Sequence, residues 1–314
     1  MPEVPVFDHD AVMAAVSPEE AIERVRDAFV RHAGGDWTMP PKSYLTVERG
    51  DFRAMPAAGG GLAILKWVTS FPANRERGLP VVMGVVAVSS ADDGRPLALM
   101  DTRAVTALRT GAVAAVAAQE LAREDARTAG IVGCGLHGRW AARCLAAAEY
   151  GPGVCYDADP DAAGALAGEL GWEVGTRGEA LACDVVTCVT PGFEPVVFAS
   201  DLRPGLHLSM LGADAPGKAE AEIDAVVACK LFCDEWEQAS HGGELTPAVE
   251  AGRVRREDVT DLGAVLRGTA PGRESDEEIT LFDSTGLAIQ DLAICHAVLE
   301  AHAAGIVKAP AVRL

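Results

Sequence analysis

The stretch RTAGIVGCGLHGRWAARCLAAAEY (residues 127–150) constrains the fold more than any other part of the chain. An apolar run ends in Gly133-x-Gly135-x-x-Gly138, and a helix-forming segment begins inside the triplet. A strand that turns through glycines into a helix is the opening unit of a dinucleotide-binding sheet. Each glycine has its own reason. Gly133 permits the tight turn, Gly135 lets the backbone approach a pyrophosphate resting on the helix N-terminus, and Gly138 lets the helix pack on the strand. GVCYDAD (153–159) reads as the next strand and puts Asp157 at its end, 19 residues past Gly138. An acid there accepts hydrogen bonds from an adenosine ribose and repels a 2′-phosphate, which favours NAD over NADP. The alternative is an ordinary glycine-rich turn, and the acid at the strand end weighs against it. His137 reads as a loop residue on the phosphate side, not as a catalyst.

The alternation continues downstream. PDAAGALAGEL (160–170) is helical, while DVVTCVT (184–190), LHLSMLG (206–212) and AVVACKLFCD (225–234) read as short apolar strands. Strand and helix in turn imply an α/β fold with a doubly wound parallel sheet of Rossmann type. Upstream the character differs. SPEEAIERVRDAFVRHA (17–33) is a helix with Ser17 as N-cap, Pro18 at its first position, Glu20 placed for a capping box and Gly34-Gly35 at its end. Strand-like runs follow at 43–47, 62–70, 81–89 and PLALM (96–100), then an Ala-rich helix at about 104–122. This third reads as antiparallel and sheet-rich. GLAIQDLAICHAVLEAHAAG (286–305) reads as one amphipathic helix. At 314 residues the chain is long enough for two domains, with a boundary near residue 122.

A net charge of −19 argues against nucleic acid and anionic membranes as partners. No apolar stretch approaches a membrane span, and MPEVPVFDHD has neither a basic nor an apolar leader region, so a cytoplasmic protein is expected. The eight cysteines show no CxxC spacing and read as buried free thiols; no metal site is expected. Lysine is used sparingly, five against 22 arginines, yet Lys66 interrupts the apolar run LAILKWVTSFP (62–72). It is either a strand-end lysine that snorkels to water or a lysine buried for a purpose.

MPPKSYL (39–45), GDFRAMPA (50–57), LKWVTSFPANRERGLP (65–80), LMDTRAVTALRTGA (99–112), GADAPGKAE (212–220), HGGE (241–244) and GRESDEEITLFDSTGLAIQDLA (272–293) carry a resemblance along nearly the whole chain. In these segments the chain resembles the ornithine cyclodeaminase and mu-crystallin family, and within it the archaeal-type alanine dehydrogenases. The resemblance implies a homodimer. It implies an α+β substrate-binding and dimerisation domain from residues 1–121, to which 285–314 return, and an inserted NAD-binding Rossmann domain at 122–284. The expected reaction converts a small L-amino acid, most simply alanine, to its keto acid with NAD.

The resemblance also implies a site. Lys42, Arg53 and Lys66 line the substrate pocket, where three cations would depress one another's pKa values and make Lys66 a base or proton donor. Asp214, at the end of a strand, is the acid that orients water, unless it merely closes an Asx turn. Lys218 and Glu220 read as loop or helix-start charges. Arg109 and Thr110, expected at a helix start, go to substrate and cofactor respectively, with a structural salt bridge as the alternative for Arg109. Ser284, beside Asp283 and Thr285, goes to the nicotinamide side or caps the last helix. One departure matters: cyclodeaminases of this family have an acid just before the Met-Pro dipeptide, where this chain has Arg53. A cation there repels ornithine's distal ammonium and argues against cyclodeamination. Ornithine cyclodeaminase, ketimine or pyrroline-carboxylate reductase, and a mu-crystallin-like binding protein remain the alternatives.

Overall fold

In the computed structural model, which describes residues 3–215 and 217–313, the chain opens with β1 (Glu3–Phe7) and α1 (His9–Ala15). α2 (Pro18–Ala33) begins where Ser17 accepts the Glu20 amide, and it buries Ala21, Ile22, Val25, Ala28 and Phe29 along one stripe. Then come β2 (Ser43–Val47), β3 (Gly50–Gly59), β4 (Leu62–Ser70), β5 (Val82–Ser90) and β6 (Pro96–Asp101). Reading along the chain predicts no strand at β3, because Pro56 and its small neighbours have little strand propensity. Pairing with β4 along its whole length supplies what local propensity lacks. β6 runs into α3 (Thr102–Leu121), whose residues are mostly buried.

The middle of the chain alternates as expected. β7 (Ala129–Val132), α4 (Leu136–Ala147), β8 (Gly153–Tyr156), α5 (Pro160–Leu170), β9 (Glu173–Val174), α6 (Arg177–Leu181), β10 (Val185–Cys188) and β11 (His207–Met210) lead to α7 (Ile223–Val227) and β12 (Lys230–Cys233). The segment 225–234, expected as a single strand, is thus the end of a helix followed by a strand. A short apolar run does not reveal which of the two it forms. α8 (Trp236–Gly242), α9 (Thr246–Glu250), β13 (Val259–Asp261), α10 (Leu262–Leu266) and β14 (Thr280–Asp283) complete this part. α11 (Ala288–Ala303) and β15 (Ala311–Arg313) follow. Residues 288–295 are buried without a break, so the first half of α11 is enclosed all round and not amphipathic.

The chain forms two units, Met1–Arg109 with Leu287–Leu314, and Thr110–Gly286. The division falls inside α3, not at its end. The first unit holds one sheet in the order β15-β1-β6-β5-β4-β3-β2, antiparallel except for the β1–β6 pair. α2 packs on α11, and α11 packs on β3 and β4. The covered side of the sheet buries Met55, Ile64, Val68, Val86 and Met100, while Leu45, Leu65, Trp67 and Val85 stay exposed.

The second unit holds a parallel sheet in the order β13-β12-β14-β11-β10-β7-β8-β9. From β7 the chain steps outward to β8 and β9, then returns to place β10 on the other side of β7. The switch point between β7 and β10 is where doubly wound sheets take ligands, beyond the carboxyl ends of the strands. Among the described residues no helix is long and apolar enough to cross a membrane.

Candidate active site

At the switch point the three glycines occupy three different steric situations. Gly133 has φ 102°, in the region that only glycine adopts freely, and a Cβ there would meet the Val189 carbonyl oxygen at 2.7 Å. Gly138 lies against the turn itself: its Cβ would stand 1.8 Å from the Gly133 oxygen. Gly135 is the N-cap of α4, and beyond its chain neighbours and its own helix no atom of the described residues lies within 4 Å of where its Cβ would be. The turn is therefore closed on its protein side and bare on the side toward which the helix N-terminus opens. That is the cradle a dinucleotide pyrophosphate needs. Asp157 follows β8 and is half-buried; one carboxylate oxygen accepts the Cys134 amide at 2.6 Å and the other the Asp159 amide at 2.9 Å. α3 passes close to α4, since a Cβ on Gly111 would meet the Trp140 carbonyl oxygen at 2.4 Å. Thr110, next to that contact, is buried, and its hydroxyl finds no hydrogen-bond partner among the described residues. The glycine cradle, the acid and an unanswered hydroxyl fit a dinucleotide.

The loops after β10, β11 and β14 gather acids. Asp214 is half-buried and ion-pairs with Lys218 at 2.7 Å, so Lys218 is its partner and not a stray loop charge. Glu220, also expected as a surface charge, is fully buried and accepts the Thr190 and Gly212 amides at 2.6 Å each. Burial pushes its carboxyl up to about 7, against the pull of those hydrogen bonds. Glu244 accepts the Glu220 and Ala221 amides; burial, then the nearby Glu220, raises its proton affinity well above the carboxylate range. Ser284 and Thr285 donate to Asp234, which also accepts the Gly286 amide. α11 starts later, with Leu287 as N-cap, so neither hydroxyl caps it.

In the first unit, Lys66 does not snorkel: it is 2% exposed. It alternates with Ile64 and Val68 on the covered side of β4, and its ammonium meets Asp291 of α11 at 2.8 Å. Arg109, inside α3 and not at a helix start, reaches the same Asp291 oxygen at 3.6 Å and donates to Gln290 at 3.4 Å. Burial brings the Lys66 pKa down to about 8, with Asp291 pulling it up and Arg109 pushing it down. Among these causes, the cation that lowers it is Arg109. The other oxygen of Asp291 and the amide nitrogen of Gln290 find no hydrogen-bond partner among the described residues.

Arg53 is 7% exposed and lies on the same side of the sheet as Lys66, opposite Val68 on β4. Its Nε donates to Asp51 at 2.6 Å, and its guanidinium lies over the Tyr44 ring. Lys42 is half-buried just before β2. Sequence reasoning missed Asp291, although a signal was present: an acid in the apolar run LAIQDLAIC, the same anomaly that marked Lys66. Glu220, Glu244 and Asp234 gave no such signal, since they lie in segments of mixed polarity.

A family model described as ornithine cyclodeaminase/mu-crystallin matches residues 4–305. An alanine dehydrogenase of Archaeoglobus fulgidus is 42% identical over 302 residues, 94% of each chain. Among solved structures, an archaeal alanine dehydrogenase dimer with bound NAD superimposes at a TM-score of 0.95 and 40% identity, covering 100% of both chains. The Thermococcus litoralis Δ1-pyrroline-2-carboxylate reductase, in complex with NADH and L-proline, gives 0.92 at 28% identity over 99% of this chain and 100% of its own.

Proposed function

The chain belongs to the ornithine cyclodeaminase/mu-crystallin family, and from that premise we propose that it is an NAD-dependent alanine dehydrogenase. It converts L-alanine, NAD and water to pyruvate, ammonium, NADH and a proton. The observation that carries the chemistry is the buried Lys66, held by Asp291 and with a pKa of about 8. A lysine in that state exchanges a proton near neutral pH, which an exposed lysine does not do. The likeness to alanine dehydrogenase over both full lengths supports the substrate.

Bound on the Gly133–Gly138 turn, NAD supplies the acceptor for the hydride leaving the substrate Cα. Asp157 takes the ribose hydroxyls and disfavours a 2′-phosphate. Thr110 would offer its unanswered hydroxyl to the cofactor, and Ser284, oriented by Asp234, would contact the nicotinamide. Arg53, steadied by Asp51, grips the substrate carboxylate with Lys42 and Arg109. Lys66 removes the proton from the substrate ammonium, so that the nitrogen lone pair can drive hydride departure. Asp214, with Lys218 as counter-ion, orients the water that adds to the resulting imine.

The exposed apolar side of the first unit's sheet, with Leu45, Leu65, Trp67 and Val85, supports a homodimer. The eight cysteines, none in a disulfide, support a cytoplasmic location. The test is NADH formation from L-alanine, set against ammonia release from L-ornithine without net NADH. Faster conversion of ornithine would overturn the alanine reading. Arg53→Ala should raise the KM for alanine and pyruvate by about ten- to a hundredfold, the loss of a charge-assisted hydrogen bond of about 1.5–3 kcal/mol. Arg53→Glu should shift relative binding toward ornithine.

A further inference from the structure

Three buried carboxylates of the second unit follow one another in space, each tied to backbone beside the next. Asp283, at the end of β14, accepts the Leu245 amide at 3.1 Å. Glu244, the residue before, accepts the amides of Glu220 and Ala221 at 2.6–3.0 Å. Glu220 in turn accepts the amides of Thr190 and Gly212, one with each oxygen. Thr190 stands just past β10, a wall of the switch point, and Gly212 just past β11, two residues before Asp214. The two loops and Glu220 meet so closely that a Cβ on Gly212 would stand 2.3 Å from the Thr190 carbonyl oxygen and 2.6 Å from the Glu220 carboxyl carbon.

We propose that Glu220 is a positioning residue for the dehydrogenase reaction: its carboxylate ties the β10 and β11 loops together and so sets where Asp214 stands. This rests on the reading of the switch point as the NAD site and of Asp214 as the group that handles water. A carboxylate is the one side-chain group that can accept a hydrogen bond from both amides with no donor of its own. An amide in its place turns an NH2 toward one backbone N–H. Burying two acids side by side is costly, and a loop that needed only to be closed would not require it. The cost is understandable where the position of two backbone segments matters to the reaction.

The experiment compares Glu220→Gln, Gly212→Ala and the double variant with wild type in the full-length protein. It reads kcat and KM for L-alanine, NADH affinity by fluorescence, and melting temperature. Glu220→Gln is expected to lower kcat by about ten- to a hundredfold, the scale of a misplacement near 1 Å, while KM and NADH affinity stay within about threefold. Gly212→Ala drives a Cβ into both the Thr190 carbonyl oxygen and the Glu220 carboxyl group, so it disturbs the same junction of the β10 and β11 loops and should show the same split. The double variant should be no slower than the slower single, because both act through one junction of the two loops. Wild-type kcat in folded Glu220→Gln, additive losses in the double variant, or a loss of NADH affinity equal to the loss of kcat overturns the proposal. If Glu220→Gln does not fold, Gly212→Ala decides, and full kcat there overturns it too. A wild type that neither binds NADH nor oxidises any amino acid overturns the underlying dehydrogenase reading and this proposal with it. An active wild type matched by both variants overturns this proposal alone.

Discussion

The two units bury charge in opposite ways. In the first, the Lys66 ammonium is matched by another side chain, the Asp291 carboxylate, with Arg109 on the same oxygen. In the second, Glu220 and Glu244 are matched by backbone amides, two apiece. A side-chain pair leaves a proton whose affinity its neighbours tune, which suits a group that must give and take one. An amide-bound carboxylate fixes backbone, which suits a group whose work is to hold loops still. The first arrangement suits proton transfer and the second suits position.

Removing Lys66 should have the largest effect and sharpens the contrast most. Lys66→Ala is expected to lower kcat by about 10²–10⁴-fold, the usual worth of a general acid–base group, with NADH affinity unchanged. Retention of most of kcat would return Lys66 to a structural role. Its stability should fall by about 3–5 kcal/mol, since Asp291 is left buried without its partner. A Lys66→Met/Asp291→Leu double variant should recover most of that stability but none of the activity, as denaturant titration and kinetics would show.

Next in size is the cradle. Gly138→Ala forces a Cβ into the Gly133 oxygen, so NADH affinity should drop by about a hundredfold, because backbone cannot yield as a side-chain tip does. Titration of NADH fluorescence measures this, and unchanged affinity would mean that the turn does not hold the dinucleotide. Asp157→Ser is milder. It should erode the preference for NAD over NADP by about tenfold, one charge-assisted hydrogen bond and one repulsion at a ribose. An unmodified protein that already binds NADP more tightly would overturn that role for Asp157.

The smallest expected effect is a shift in a pH profile. Lys66 must be neutral to take a proton, and its pKa is about 8. The kcat/KM for alanine oxidation should therefore rise with pH and level off above about 8. Arg109 pushes that pKa down, so Arg109→Gln should move the rise to higher pH. Asp291 pulls it up, so Asp291→Asn should move it lower. A profile that ignores both substitutions would show that another group titrates.

Much of the second unit was legible in the sequence. The glycine triplet and Asp157 lie within one strand–helix–strand segment, and their placement follows from local geometry. β3 and the split of 225–234 into α7 and β12 were not legible, because pairing partners decided them and local propensity did not. In the first unit the anomaly at Lys66 was visible, while the neighbours that tune it were not. The neighbours that do so are Asp291 and Arg109, and both are brought to it by packing.

By itself, then, the sequence determined what is made of backbone over short distances: a turn that only glycines can close, a helix that starts on it, and an acid at the end of the next strand. Sterics over a few bonds settle such features, and they read the same in any fold that contains them. Only the tertiary structure decided which charges are buried and what answers them. Lys66 and Asp291 stand 225 residues apart in the chain and 2.8 Å apart in space. Glu220 looks like any surface glutamate until two loops fold over it. The proton affinity of a buried group depends on every charge and dipole around it and on the water it has lost, and no one segment of a chain contains that sum.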